Sequence, residues 1–155
     1  MSIRSTVKAI IIKDDKILIN RCRDEKHGDY FSLVGGGQNQ YETLHETVVR
    51  ECLEETGYTV QPIKFAALCE SIFTNEQFRS KNPEHTHRMY HVFICEILDK
   101  KRIIPTGKDS QQTDSEWVDI NTVKNIRLFP KIVRDNIRDI INGTAPIFLG
   151  SEYID

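Results

Sequence analysis

The stretch GGGQNQYETLHETVVRECLEETGY, residues 35–58, carries more structural information than any other part of this chain. The consecutive glycines Gly35, Gly36 and Gly37 lift the ordinary limits on φ, so a sharp loop begins there. Thr43 followed by Glu46 has the form of a capping box, and Gly57 is placed to stop a helix. The spacing predicts a helix from about Leu44 to Thr56. With about 100° of rotation per residue, Glu51, Glu54 and Glu55 share an arc of roughly 100°, while Val48, Val49, Cys52 and Leu53 turn toward a core. Carboxylates at these spacings repel by roughly a few tenths of a kcal/mol per pair. A hard divalent cation such as Mg²⁺ removes that repulsion, because carboxylate oxygens are its natural ligands. Arg50 stands one turn from both Glu46 and Glu54 and is placed to orient a carboxylate. A solvated helix face laced with salt bridges has the same composition, so the helix alone does not separate the two readings.

Before the loop, Thr6 to Ile12 and Lys16 to Asn20 read as strands, joined by a turn at Asp14 and Asp15. Tyr30 to Val34 reads as a third strand running into the glycines. Ile63 to Phe73, Met89 to Leu98 and Glu116 to Ile120 are further strands, and Pro130 to Ile141 has the apolar stripe of a second helix. Strands with two separated helices predict an α/β arrangement with helices covering a mixed sheet.

At 155 residues the chain is read as a single domain, 1–155. Apolar residues make up 39% and charged residues 28%, which excludes a disordered chain. The net charge of −2 provides no general pull toward nucleic acid polymers or anionic membrane, so a phosphate-rich ligand must be held by local groups or metal. No run approaches the roughly 20 apolar residues of a membrane span. The start, MSIRSTVKAIII, lacks the apolar core of a signal peptide. Cys22, Cys52, Cys69 and Cys95 form no CxxC pair and read as reduced thiols, which places the protein in the cytoplasm.

The segment from Gly36 to Gly57 resembles the signature of the Nudix hydrolase superfamily: Gly, any five, Glu, any seven, Arg-Glu, an apolar residue, any, Glu-Glu, any, Gly, an apolar residue. Gly36, Glu42, Arg50, Glu51, Glu54, Glu55 and Gly57 fill its fixed positions, with Cys52 and Tyr58 in the apolar places. Val34 stands where many members have Pro, and Tyr41 where many have Gly. If the backbone at residue 41 needs a positive φ, tyrosine is strained there.

The resemblance implies an α/β/α sandwich with a mixed sheet and Mg²⁺-dependent hydrolysis of a diphosphate linkage in a nucleoside diphosphate joined to another moiety, with Mn²⁺ as a substitute metal. It implies Glu51, Glu54 and Glu55 as metal ligands, the Gly35 carbonyl as an additional one, and catalytic roles for Glu51, Glu54 and Arg50. Glu51 is the first choice of general base, with Glu70, Glu76, Glu84 and Glu116 as loop alternatives; Glu42 pins the loop to the helix. The expected partner is a small nucleotide-like diphosphate, and a homodimer is compatible with the family. The competing function is a Nudix-like module that binds a nucleotide without cleaving it.

Outside the signature, Arg21 and Arg23 at the end of the second strand, and Arg79, Lys81 and Arg88 in the long polar stretch from Thr74 to Arg88, are candidate substrate-binding cations. Phe73 or Phe78 is placed to stack on a base. His85, His87 and His91 lack the partners of a zinc set, and Trp117 reads as core.

Overall fold

The computed structural model describes residues 2–155, Asp99 by its backbone only. Strands β1 (Arg4–Lys13) and β2 (Lys16–Asp24) form a hairpin across Asp14 and Asp15, both at positive φ (50° and 60°). Short acidic residues tolerate that region better than branched ones, and the turn's twist matches the strands. Strand β3 (Gly28–Leu33) runs back along β2. Helix α1 (Leu44–Thr56) follows, then β4 (Thr59–Phe73), the short α2 (Glu76–Lys81), β5 (His87–Asp99), β6 (Gln112–Asp119) and β7 (Leu128–Phe129). The chain ends with α3 (Lys131–Asp135), α4 (Ile137–Asn142) and β8 (Ile147–Ile154).

The strands join in the order β7-β3-β2-β1-β5-β4-β8, with β6 also on β2. Pairs β1/β5, β4/β8 and β3/β7 are parallel and the others antiparallel, so the sheet is mixed as expected. One feature of the register positions the site. Strand β2 pairs with β1 only at Ile12↔Ile17 and Lys13↔Lys16. The remaining edge of β1 is taken by the Gly-rich turn, through Ala9 N–H to the Val34 carbonyl (2.8 Å) and Val7 N–H to the Gly36 carbonyl (2.9 Å).

Alternation along β1 divides the core. Val7, Ala9 and Ile11 pack with Val48 and Cys52 of α1, whereas Ile10 joins Ile137 and Ile140 of α4 on the opposite face. Each face of the sheet is thus covered by helix, giving the α/β/α layering. Burying a side chain such as Ile10 contributes about 1.5–3 kcal/mol. The four cysteines are free and buried, acting as small hydrophobes.

The capping box at Thr43 forms as expected: Glu46 N–H donates to Thr43 Oγ1 (3.2 Å) and Thr43 N–H to Glu46 Oε2 (2.7 Å). Gly57 ends α1 at φ 76°, its N–H donating to the Leu53 carbonyl (2.9 Å). The segment after β5 then covers the end of this helix. Gly107 N–H donates to the Glu54 carbonyl (2.9 Å), Arg102 Nε to the Thr56 carbonyl (2.8 Å) and Ile103 N–H to the Gly57 carbonyl (2.9 Å), supplying carbonyls that a helix end leaves unpaired.

The second helix differs from expectation. Pro130 to Ile141 is not continuous but breaks at Asn136 (φ −111°, ψ 14°). The Asn136 side chain donates to the Ile132 carbonyl (2.8 Å), a local bond that competes with the helical ladder. Among the described residues, no helix is long and apolar enough to cross a membrane.

Candidate functional site

The site lies where the Gly-rich turn meets α1. Gly35 has φ 144°, and a β-carbon there would strike the Val7 carbonyl, so only glycine lets the turn lie this close to β1. The Glu51 carboxylate packs directly against Gly36. Arg50 is the hub. Its Nε and Nη2 donate to the Glu42 carboxylate (2.6 and 2.9 Å), Nη2 also to the Gly37 carbonyl (3.0 Å), and Nη1 to Glu51 (2.8 Å) and Glu54 (3.2 Å). Arg50 therefore pairs with Glu42 across the loop and with Glu54 one turn on, while Glu46 is used by the capping box.

The helical wheel places three carboxylates on one open face, and the structure divides them. Glu54 is the most open, with 38% of its side chain exposed, against 13% for Glu51. Glu55 is turned inward and buried, accepting from Asn20 Nδ2 (2.8 Å) and the Gly35 N–H (3.0 Å). Glu51, Glu54 and Glu55 share one arc of the helix, but its inner edge faces β2 and the turn, not solvent. Behind Glu55, Gln112 Nε2 donates to the Glu55 carbonyl (2.9 Å) and Ser115 Oγ to Asn20 Oδ1 (2.9 Å), so β6 braces the residue that holds the carboxylate. Asn20, Gln112 and Ser115 were not singled out in the sequence. Asn20 is a polar residue at the end of an apolar run, whereas Gln112 and Ser115 lie in a polar run that carries no such signal.

The charges are unbalanced. The Arg50 guanidinium beside Glu42 holds that carboxyl down at about 2, ahead of smaller contributions from the Asn39 N–H and the Thr47 hydroxyl. Burial pushes Glu51 up despite Arg50, and pushes Glu55 to about 7 despite Lys8 and the two donors on it. Glu42, Glu51 and Glu54 thus share the one guanidinium of Arg50, and Glu55 lies buried beside them with neutral donors on its carboxylate. Hard oxygen donors with excess negative charge are the chemistry that Mg²⁺ or Mn²⁺ fits. Among the described residues, no three His, Cys, Asp or Glu side chains already converge on one point. Arg50 Nη1 stands between Glu51 and Glu54 instead.

The other predicted cations lie apart from this cluster. Arg21 and Arg23 line a cleft of ≈ 410 Å³ with Tyr30, Phe31 and Asp114. Arg23 is bidentate to Asp29 there (2.7 and 3.1 Å). Arg79 donates to the Phe73 carbonyl, and the Arg88 guanidinium lies 5.3 Å from the Phe73 ring centre. Phe73 and Phe78 stack on each other at 4.6 Å. Of the alternative bases, Glu70 pairs with His87 (2.8 Å), and Trp117 packs against the second core cluster, edge-on to Tyr58.

The sequence profile of the NUDIX domain family matches residues 3–139. A Methanocaldococcus jannaschii protein named ADP-ribose pyrophosphatase is 29% identical over 133 residues, covering 85% of this chain and 72% of that protein. The Bacillus subtilis protein YjhB, whose name as an ADP-ribose pyrophosphatase is itself provisional, is 29% identical over 97 residues. That match covers 62% of this chain and 42% of YjhB, less than half the relative's length. A solved NUDIX hydrolase from Nitrosomonas europaea superposes with a TM-score of 0.74 at 19% identity, over 94% of this chain and 93% of that one. This last likeness is one of fold. The chain belongs to the NUDIX domain family.

Proposed function

We propose that the chain is a Nudix pyrophosphohydrolase that cleaves a diphosphate linkage in a nucleoside diphosphate joined to another moiety. The observation that carries this reading is the carboxylate excess around Arg50 beneath the Gly-rich turn. Glu51, Glu54 and Glu55, with the Gly35 carbonyl, would hold Mg²⁺, with Mn²⁺ as a substitute. When bound, such a cation neutralises charge on phosphate oxygens and lowers the pKa of water. Arg50 positions the rest: it fixes Glu42 and the Gly37 carbonyl, so that the loop and helix keep one geometry. Glu51 is half-buried against Gly36, and burial raises its pKa, which suits a group that accepts a proton from the attacking water. We assign Arg21 and Arg23 to the leaving moiety, in the separate cleft they line, where Arg23 is already paired with Asp29. Buried free thiols fit a reducing compartment, so we place the protein in the cytoplasm.

The names of the two relatives make ADP-ribose the first substrate to try. The test is a panel of diphosphate compounds, ADP-ribose included, incubated with Mg²⁺ and separately with EDTA, reading both phosphate and nucleotide products. Cleavage with Mg²⁺ that EDTA abolishes supports the reading. Tight nucleotide binding without cleavage across the panel replaces it with a binding module.

A further inference from the structure

Beyond the carboxylate cluster, three cations stand in a row on one face of the sheet. Arg4, Thr6 and Lys8 alternate along β1, and Arg88 and Tyr90 lie beside Arg4 and Thr6 in the parallel register of β5. Lys8 Nζ is 5.9 Å from the centre of the Tyr90 ring, and Arg88 Nη1 donates to the Tyr90 hydroxyl (3.3 Å). The Arg4 guanidinium lies across Gly37, where a β-carbon would strike it. Among the described residues, no carboxylate is within ion-pair distance of Arg4, Lys8 or Arg88.

The two ends of the row are defined by what they bond to. Arg88 Nε donates to the His85 carbonyl (3.0 Å), and the register Arg4↔Arg88 sets the two arginines side by side at one end. At the other end, Lys8 Nζ donates to the Leu33 carbonyl (3.0 Å), which sets its charge beside the start of the Gly-rich turn. Between them Thr6 is 5% exposed, and its Oγ1 has no hydrogen-bond partner. Buried hydroxyls are rarely left unpaired, and like charges are rarely gathered without a counter-ion. A phosphate group answers both, accepting from guanidinium forks and from a hydroxyl.

We propose that Arg4, Thr6 and Arg88, continued by Lys8, form an anion subsite for a phosphate lying beyond the scissile diphosphate. This rests on the hydrolase function proposed above. At about 3.3 Å per residue, the Cα atoms of Arg4 and Lys8 are about 13 Å apart along β1. Long side chains close much of that span, so a diphosphate extended by further phosphate bridges it. The subsite favours such substrates over those whose far group is a neutral sugar.

The test begins with metal-free protein in EDTA at low ionic strength, titrated calorimetrically with inorganic tripolyphosphate. The expected result is binding by the wild type, about tenfold weaker binding by R4Q and by R88Q, and no change in R138Q on α4. No binding by the wild type, or equal binding by all variants, overturns the subsite. R88K and a thermal midpoint for each variant separate lost binding from lost folding, and R4Q carries the test if R88Q does not fold. The second measurement is KM with Mg²⁺ for ATP, which has a phosphate beyond the α–β linkage, and for ADP-ribose. R4Q and R88Q should raise KM about tenfold for ATP and leave that for ADP-ribose unchanged. Equal rises for both substrates overturn the assignment to a distal phosphate. A wild type that cleaves neither counts against the hydrolase function, and the tripolyphosphate titration still decides the subsite.

Discussion

Arg50 grips both oxygens of Glu42 with a planar fork, Nε to Oε1 at 2.6 Å and Nη2 to Oε2 at 2.9 Å, and so ties the Gly-rich loop to α1. A lysine keeps the charge but not the fork. Arg50→Lys and Glu42→Gln are each expected to lower stability by about 2 kcal/mol, the scale of hydrogen bonds to charged groups. The pH dependence gives an independent check. Glu42 is held at about 2, below the 4.5 of a free glutamate, so its contribution is complete above pH 4.5 and lost as pH falls toward 2. Urea unfolding of Glu42→Gln should show a shallower acid limb than wild type; identical limbs would count against the pairing.

Glu55 acts in the opposite direction. Burial raises it to about 7, so between pH 4.5 and 7 the unfolded chain releases a proton that the folded chain keeps. In metal-free protein this lowers stability as pH rises through that window, by about 3 kcal/mol in all, and the effect levels off above 7. Glu55→Gln leaves a carbonyl oxygen to accept from Asn20 and Gly35, so it should abolish most of the slope. Unfolding free energies at pH 5 and pH 8, in EDTA, measure it. A slope unchanged by the substitution would mean that Glu55 is ionised when buried.

How much of this was legible in the sequence differs from element to element. The helix Leu44–Thr56 and its caps were, because Thr43, Glu46 and Gly57 act through bonds to their near neighbours. The inward turn of Glu55 was not: it depends on β2 and β6 reaching α1 from sites 35 and 57 residues away in the chain. Nor was β8, whose half-exposed residues lack a clean alternation and which exists by pairing with β4. The cationic row was half legible. Arg88 stands with Arg79 among the candidate substrate-binding cations of the sequence, but only the parallel register sets Arg4 beside it.

The metal assignment makes a direct prediction for turnover. Glu54→Gln and Glu55→Gln should each cut kcat at least about a hundredfold with Mg²⁺, the scale of removing a major electrostatic group. Near-normal rates in both variants would remove these carboxylates from the metal site.

Tyr41 is 96% exposed at φ 71°, the conformation in which its side chain is strained. Since it packs on little, Tyr41→Gly should stabilise the fold by up to about 1 kcal/mol, strain relief exceeding the added chain entropy. Chemical denaturation reads the sign, and a loss of stability would show that the ring contributes contacts outweighing the strain.

Gly57 and Gly28 separate backbone strain from close approach. Both have positive φ, 76° and 63°, so alanine is disfavoured at either by about 1–2 kcal/mol. A β-carbon at Gly28 meets nothing within 4 Å, whereas one at Gly57 would strike the Ile103 carbonyl oxygen. Relieving that clash moves Ile103, whose N–H bonds to the Gly57 carbonyl, and with it the Arg102 and Gly107 bonds to the last turn of α1. Gly57→Ala should therefore be the more destabilising by at least about 1 kcal/mol, the value of one hydrogen bond. It should also speed hydrogen exchange at Ile103 and Gly107, which Gly28→Ala should not. Equal losses for the two variants would mean that the segment after β5 yields without cost, and that the end of the carboxylate helix does not depend on it.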